Sequence, residues 1–407
     1  MITNYKLNQA TKGLFVNEPK RHHYVPRMYL KRFSPTYADD GSELAFVFLT
    51  KNNCNIGLRS YKDQCQLRKF YDIDTERYLA TKETEWNDAI QNAVEEKSLA
   101  DDDVFKLREF LVYQLNRTPA WLSSTKAIVR NLIVLCENHA SDENVGQALA
   151  RYWEEISKEL SPETFIEESE HINRKVEDLE IAVVCNRTKV ELITSDTPVL
   201  YFNMLAWGID RCDSIGIMFV CPLDTQHLLI MYDAGVYDIK TNDDGYIDLC
   251  NEDEVRLFNC YQYLMSDHIL ISKSEFSLDE YPSEITDIKC QVQQRRLHQS
   301  VKVDEILDEL YNEIPRIARL FDSQRVYTMK RSFRKVPIQY GTTFPRNKPI
   351  AGCDTESEIR DSIVDGKSLK KTSLSVGKDY KHLLSSEEKK ALKLLGKAFA
   401  FYWNIEF

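Results

Sequence analysis

The main change in the spacing of apolar residues, from a helical period before residue 160 to a strand period after residue 180, constrains the fold more than any other feature. Between residues 81 and 160 apolar side chains recur at three- and four-residue steps, as Trp86, Ile90 and Val94 do, which predicts helices. After residue 180 short apolar segments alternate with turn residues, which predicts strands. Helices followed by strands, rather than alternating with them, indicate the α+β class. We therefore expect an N-terminal helical block followed by a mostly antiparallel sheet with helices.

The residues that bound these segments predict individual elements. Helices are predicted at 81–97, from Asp101 until Pro119 interrupts it, at 121–136 and 147–160, after the cap Ser161, and at 251–265 and 303–320. Strands are predicted at 44–50, 180–185, 190–194, 215–221, 227–232 and 268–272, with a hairpin of 236–239 and 246–249. A turn and a short helix are predicted at 22–33, where Pro26 suits the first helical position.

The two ends of the chain differ from its middle. Residues 1–19 have the character of a flexible arm, and the predicted core domain covers residues 20–323. Residues 324–407 carry 17 Lys and Arg against nine Asp and Glu, although the whole chain has a net charge of −11. This basic C-terminal extension ends in a predicted amphipathic helix with a capping box at Ser385 and Glu388.

The basic segments are candidate contacts for partners. The extension and the stretch 20–32 could bind nucleic acid or nucleotides through phosphate groups. The terminal helix could dock on a protein partner through its apolar stripe. The alternative is that these charges form a solvated surface.

Composition excludes several classes of protein. No apolar run approaches the roughly 20 residues that span a bilayer. Residues 1–20 lack the apolar segment of a secretory signal, so we expect a cytoplasmic protein without membrane contact. The ten cysteines form no C-x-x-C pair, which argues against a structural zinc site and a disulfide scaffold. The sequence also lacks Walker A, Rossmann and H-E-x-x-H motifs.

Two adjacent histidines, His22 and His23, lie in a basic and aromatic segment just before Pro26. Neighbouring imidazoles can act as general acid and base, and either can bind a metal ion. Adjacent side chains diverge in a strand, so both reach one substrate only if the backbone turns. The alternative is that one histidine packs in the core while the other forms a hydrogen bond.

Gln114 and Arg117 are three residues apart near the end of a predicted helix, so they share one face of it. A guanidinium at this position can bind a phosphate or carboxylate with two parallel hydrogen bonds. It can equally cap the last carbonyls of the helix.

Further polar residues follow a predicted strand, in the stretch 194–198. Asp196 is a candidate metal ligand or a partner that orients a histidine, and Ser195 is a candidate nucleophile without the glycine elbow of a hydrolase. The alternative for the stretch is an Asx-turn fixed by Pro198. Asn259, inside a helix of apolar residues, is expected to reach a site or to satisfy a buried backbone group.

Several of these stretches together resemble one family. His22-His23-Tyr24-Val25-Pro26, with Tyr29-Leu30 and Phe33 after it, resembles the opening motif of the domain-of-unknown-function 4238 family, whose members are mostly bacterial. Shorter matches are Gln114-x-x-Arg117-x-Pro119, Thr194-Ser195-Asp196-Thr197-Pro198, the segment 219–224 and Asn259. Thr197 stands where the family has Asn, and Asp224 where it has Ser. The resemblance covers about residues 20–275.

The resemblance implies no established activity, cofactor or substrate. It implies a recurring polar set, namely His22, His23, Gln114, Arg117, Ser195, Asp196 and Asn259. Polar motifs dispersed over so many residues are explained more simply by one shared pocket than by unrelated turns. We therefore treat these residues together as the candidate catalytic set.

The first function that we expect is an intracellular bacterial enzyme acting on a phosphate-containing substrate, namely a nuclease with a role in phage defence or as a toxin. His22 or His23 would be the general base, and Arg117 would stabilise phosphate charge. Asp196 would orient a histidine or hold Mg²⁺ or Mn²⁺, with His23 as a second candidate metal ligand. The alternatives are an NAD- or nucleotide-processing enzyme and a non-catalytic protein-interaction module.

Overall fold

The computed structural model describes most of the chain between residues 21 and 290 and two short segments after it. The described residues are 21–34, 36–37, 43–139, 143–203, 206–207, 212–281, 285–287, 289–290, 328–329 and 339–340. The predicted arm, the helix at 303–320 and the terminal helix lie outside them.

The helices agree with the predicted helical block. They are α1 (Arg27–Leu30), α2 (Ile73–Val94), α3 (Asp101–Asn116), α4 (Pro119–His139), α5 (Glu143–Glu159), α6 (Pro162–Lys175) and α7 (Glu252–Met265). α2 begins earlier than predicted because the side chain of Asp72 accepts a hydrogen bond from the Thr75 N–H and caps it. Ser161 caps α6 in the same way.

The strands are short and mostly antiparallel. They are β1 (Arg21–His23), β2 (Thr36–Tyr37), β3 (Glu43–Leu49), β4 (Cys54–Ser60), β5 (Gln66–Arg68), β6 (Glu180–Asn186), β7 (Thr194–Ser195), β8 (Leu200–Asn203), β9 (Ala206–Trp207), β10 (Ile217–Pro222), β11 (His227–Tyr232), β12 (Tyr237–Asp238), β13 (Tyr246–Leu249), β14 (Ile269–Ser272), β15 (Thr328–Met329) and β16 (Gln339–Tyr340).

The strands form a central sheet, a second sheet and three isolated pairs. The central sheet has the order β13-β6-β11-β10-β8, and the second sheet has the order β2-β3-β14-β7, with β4 on β3. The pairs are β1 with β5, β12 with β15 and β16 with β9. Among the described strands only β13–β6 and β16–β9 pair in parallel. The prediction of an α+β fold is confirmed.

Both faces of the central sheet are buried. Val183 faces the helical block and shares one core with Trp86 of α2 and Phe110 of α3. Val184, the next residue, faces the other way and packs in a second core with Phe258 of α7. In the described part of the chain no helix is long and apolar enough to cross a membrane.

The predicted hairpin of 236–239 and 246–249 is wrong. β12 pairs with β15, and β13 pairs in parallel with β6 instead of turning back on β12. Tyr246 explains the change, because its ring is buried in the helix-side core and its hydroxyl donates to the Lys97 carbonyl at 2.6 Å. These contacts hold β13 at the edge of the central sheet.

The strand predicted at 190–194 is reduced to its last residue. Asn259 takes the place of a neighbouring strand, because its side chain accepts from the Ile193 N–H at 3.0 Å and donates to the Glu191 carbonyl at 2.8 Å. The Asn186 amide also donates to the Val190 carbonyl at 2.6 Å. Side chains thus satisfy backbone groups that a strand would have paired.

Candidate functional site

The two histidines lie in a strand, not in a turn. β1 runs antiparallel to β5, with His22 opposite Leu67 and His23 opposite Gln66. Alternation along a strand sends neighbouring side chains to opposite faces. His22 is therefore buried, with 4% of its surface exposed, whereas His23 faces an open cleft. The two imidazoles do not face this cleft together.

His22 is held inside the protein by Tyr71. Its Nδ1 accepts from the Tyr71 N–H at 3.1 Å, and the two rings stack with centroids 6.1 Å apart and planes inclined by 3°. A carboxylate oxygen of Glu76 lies 3.9 Å from the same Nδ1. Because the Nδ1 that accepts the N–H carries no proton, we interpret this contact as a near neighbour and not as an ion pair.

His23 has one ring nitrogen bound and one available. Its Nε2 lies 2.9 Å from the Lys62 carbonyl, which can only accept, so Nε2 carries the proton of the neutral ring. Nδ1 then carries a lone pair, and it has no hydrogen-bond partner among the described residues. Burial lowers the pKa of His23, the Lys62 carbonyl raises it in part, and the charges of Arg27 and Arg117 lower it further.

The cleft beside His23 combines cations and carboxylates. Its volume is about 500 Å³. It is lined by Arg21, His23, Arg27, Lys62, Asp63, Gln66, Glu76 and Glu83. Arg21 and Arg27 form no ion pair with any described residue, whereas Lys62 lies 3.9 Å from Glu43. The cleft therefore offers cationic donors to an anion and oxygen ligands to a cation or a hydroxyl.

Arg117 lies behind the wall of the cleft, with 1% of its surface exposed. Its Nη2 donates to the His23 carbonyl at 2.6 Å and pairs with Glu83 at 2.8 Å. The Tyr71 ring lies 5.9 Å from its guanidinium carbon. Burial acts to lower the pKa of Arg117, but the charges of Glu83 and Tyr71 outweigh it, so the pKa is raised. The guanidinium is thus a fixed positive charge that positions His23.

Gln114, like Arg117, donates a hydrogen bond to a backbone carbonyl of the opening motif. It is fully buried, and its amide donates to the Tyr24 carbonyl at 3.0 Å. Gln114 in the last turn of α3 and Arg117, which directly follows the helix, therefore bind successive carbonyls of the motif, those of Tyr24 and His23. Arg117 Nε and Nη1 and Gln114 Oε1 have no hydrogen-bond partner in the described chain.

Asp196 and Ser195 are in the second sheet, and their side chains serve the chain itself. The two carboxylate oxygens of Asp196 accept from the backbone N–H groups of Asp267 and His268, at 2.9 and 2.7 Å. Burial raises the pKa of Asp196 to about 6, although these hydrogen bonds act in the opposite direction. The Ser195 hydroxyl donates to the Gln262 side chain at 2.8 Å.

Asn259 belongs with these residues and not with the cleft, since its amide binds the backbone before β7. Of the candidate catalytic set, the structure brings His22, His23, Gln114 and Arg117 together around the cleft wall. Ser195, Asp196 and Asn259 form a separate cluster at the junction of β7, β14 and α7.

One tyrosine of the opening motif links the two clusters. The Tyr29 hydroxyl lies 2.7 Å from the Thr194 hydroxyl and donates to the Pro222 carbonyl at 2.7 Å. Burial is the largest cause of the raised pKa values of Tyr24 and Cys65, and the Asp196 charge raises both further. The dispersed motifs are therefore in contact through the core, although they do not line one pocket.

Sequence reasoning did not select Tyr71, Glu76 or Glu83. Glu76 and Glu83 are seven residues apart on one face of α2, and the helix predicted from the sequence at 81–97 did not include Glu76. Tyr71 precedes that helix, and its hydroxyl donates to the Arg117 carbonyl at 2.9 Å. None of the three belongs to a recognisable motif, and their importance follows only from their contacts with His22 and Arg117.

Comparison with known proteins identifies the family. Residues 21–276 match the family described as "Protein of unknown function (DUF4238)". The match covers more than half of the chain, and the chain belongs to this family. No curated protein matches the sequence. No solved structure matches it either.

Proposed function

We propose that the protein is an enzyme that cleaves a phosphate-containing substrate in the cleft beside His23, with nucleic-acid phosphodiesters as the substrate class. The observation that carries the proposal is the state of His23. Its Nε2 is occupied by the Lys62 carbonyl, its Nδ1 is left with a lone pair, and the side chain lines a cleft that Arg21 and Arg27 also line. A general base needs this combination of a lone pair and a nearby anion-binding group.

The lowered pKa of His23 supports the role of base. A histidine whose pKa lies below 6.5 is neutral at neutral pH, so its Nδ1 can accept a proton from water or from a ribose hydroxyl. The oxygen that loses this proton would attack phosphorus, and the leaving oxygen would take up a proton from solvent. The fixed Nε2 hydrogen bond keeps the ring in one tautomer during the step.

The cations of the cleft support phosphate binding. Arg21 and Arg27 are exposed and form no ion pair in the described part of the chain, so binding a phosphate would cost no internal pair. Arginine binds phosphate with two parallel hydrogen bonds. Arg117 would act from behind the wall, because a direct contact with phosphate would require Glu83 to release it.

Mg²⁺ and Mn²⁺ prefer oxygen ligands, and Asp63, Glu76 and Glu83 bring carboxylates to the cleft. Their oxygens do not form a ready metal site, because the one group of at least three close metal-ligating side chains among the described residues lies elsewhere. Asp196 is a weaker candidate than the sequence suggested, since both of its oxygens accept backbone hydrogen bonds. A cytoplasmic location and a role in phage defence or as a toxin are parts of this proposal.

A second candidate is an NAD- or nucleotide-processing enzyme. The volume of about 500 Å³ is that of a small-molecule site and would hold one nucleotide. Carboxylates such as Glu76 would accept hydrogen bonds from ribose hydroxyls. Free nucleotides that raise the melting temperature of the protein and are consumed, while polynucleotides stay intact, would favour this candidate.

The test compares the purified protein with two histidine variants. His23→Gln removes the base, and His171→Gln is the matched control on an exposed face of α6. Each is incubated with tRNA, single-stranded DNA and plasmid, with and without Mg²⁺ or Mn²⁺. We expect cleavage by the wild type and by His171→Gln, and a loss of about 100-fold or more in His23→Gln. Cleavage by none of the three, or equally by all three, would contradict the proposal.

A further inference from the structure

A second cluster of reactive side chains lies at the edge of the central sheet, away from the cleft. Glu96, Cys185 and His227 each offer one ligand atom, and these atoms lie within 4.8 Å of one another. Cys185 and His227 are opposite one another in the register of β6 and β11. Glu96 follows the end of α2 and reaches the same point. Three distant parts of the chain thus bring a sulfur, a nitrogen and an oxygen together.

His227 is oriented toward this cluster by Asp224. Its Nδ1 lies 2.9 and 3.0 Å from the two carboxylate oxygens of Asp224, so Nδ1 carries a proton. Asp224 itself is fixed by the N–H groups of Gln226 and His227, each at 2.7 Å. The opposite nitrogen, Nε2, is buried and has no hydrogen-bond partner among the described residues, although Glu96 Oε1 lies 3.5 Å away.

We propose that Glu96, Cys185 and His227 form a binding site for a zinc ion. Thiolate, imidazole and carboxylate are the ligands that zinc takes in proteins, with bonds of about 2.0 to 2.3 Å. A tetrahedron of such bonds needs ligand atoms about 3.5 Å apart, so only small side-chain movements would close the site. Asp224 has the position of the carboxylate that commonly orients a zinc-bound histidine. The fourth position is left for water.

Zinc takes its protein ligands as a thiolate, a neutral imidazole and a carboxylate. Protons that these side chains carry without metal must therefore leave when zinc binds. Zinc binding should consequently release protons and weaken as the pH falls.

Arg187 is the main competitor for Glu96. Its Nη1 and Nη2 each lie 2.6 Å from a Glu96 oxygen, and its Nε pairs with Asp248 at 2.8 Å. Zinc would take one oxygen and leave the other to Arg187. The Glu96 side chain is 37% exposed and provides the path of entry.

The sequence alone does not reveal this site. A C-x-x-C pair places two zinc ligands close together in the chain, whereas these three ligands are separated by 89 and 42 residues. Only the register of β6 and β11 brings Cys185 opposite His227. The site is also independent of the proposed nuclease activity, because none of its three ligands lines the cleft.

The experiment strips the full chain with a chelator and titrates it with Zn²⁺ in calorimetry, using buffers of different ionisation enthalpy. We expect one equivalent to bind with release of protons. Cd²⁺ provides a second readout, because a cadmium–thiolate bond adds an ultraviolet charge-transfer band that can be measured on the wild-type protein.

Variants assign the ligands. Cys185→Ser should abolish the cadmium band and weaken zinc binding by more than about 100-fold, and Asp224→Asn should weaken it by about 10- to 100-fold. Cys260→Ser, which changes another buried cysteine, is the matched control and should bind as the wild type does. Absence of zinc binding and of the cadmium band in the wild type would overturn the proposal. Equal binding by Cys185→Ser and Cys260→Ser would overturn it as well.

Discussion

The cleft wall and the β7 strand end use similar polar residues in different ways. At the strand end, both oxygens of Asp196 accept backbone N–H groups, and Asn259 binds backbone on both sides of its amide. At the cleft wall, His23 Nδ1 and two nitrogens of Arg117 have no hydrogen-bond partner within the described residues. At the strand end these polar side-chain atoms are used in hydrogen bonds to the backbone. At the cleft wall some polar atoms have no such hydrogen bond.

This difference distinguishes polar residues that stabilise the fold from polar residues that can act on a substrate. A buried polar group that is fully hydrogen-bonded serves the fold, since burying it unpaired would cost free energy. An imidazole with one nitrogen in a hydrogen bond and the other without one can bind a ligand or accept a proton. This division of roles is contradicted if Ser195, Asp196 or Asn259 proves catalytic or if His23 proves dispensable for activity.

The largest expected effect concerns the buried ion pair behind the cleft. Arg117→Leu should lower the free energy of unfolding by about 3–5 kcal/mol, because Glu83 and the His23 carbonyl lose their buried partner. Urea denaturation followed by circular dichroism measures the change. Arg108→Leu is the control, since this half-buried arginine donates only to the Leu179 carbonyl among the described residues, and its loss should cost about 1 kcal/mol or less. A small effect of Arg117→Leu would show that the pair does not hold the wall.

The second prediction concerns the pH dependence of stability that Asp196 causes at the strand end. The folded state raises the pKa of Asp196 from 3.8 to about 6, so it binds the proton more tightly than the unfolded state does. The resulting stability is present below about pH 4 and is lost as the pH rises through about 6. Relative to Asp196→Asn, the wild type should therefore lose about 3 kcal/mol of unfolding free energy over this interval.

Unfolding by urea at a series of pH values measures this difference for both proteins. Parallel curves for the wild type and Asp196→Asn would show that folding leaves the pKa of Asp196 unchanged, so that the two backbone hydrogen bonds offset burial. A wild type that gains stability relative to Asp196→Asn as the pH rises through about 4 would show that these hydrogen bonds outweigh burial. Nuclease activity, where it is present, should survive in Asp196→Asn at a pH where the variant is folded.

The sequence predicted the helices far better than the site. Periodicity located α2 to α7 because each helix buries an apolar face, and the helical spacing of its apolar residues can be read from one sequence. It failed for 190–193 and for the hairpin, where the side chains of Asn259 and Tyr246 replace local pairing with long-range contacts. The motif around His22 led to the cleft, but its two histidines could be assigned only after β1 was known to be a strand.

The two neighbouring histidines give the third prediction. His22→Ala should cost about 2 kcal/mol of unfolding free energy, because the Tyr71 N–H loses its acceptor in a buried place and the stacked ring is removed. His23→Ala should cost less than about 1 kcal/mol, since this side chain faces the cleft. Equal costs measured by urea denaturation would contradict the division into one packed and one available histidine.

The smallest effect comes from the titration of His23 and has the sign opposite to that of Asp196. The folded state lowers the pKa of His23 below 6.5, so the unfolded chain binds this proton more tightly. The stability that follows is present above about pH 6.5 and is lost as the pH falls through that value. The wild type should therefore gain stability relative to His23→Gln as the pH rises, while it loses stability relative to Asp196→Asn. NMR titration of the His23 ring gives the direct measurement. A midpoint at or above 6.5 would mean that the Lys62 hydrogen bond outweighs burial, and His23 would then be a poorer base at neutral pH.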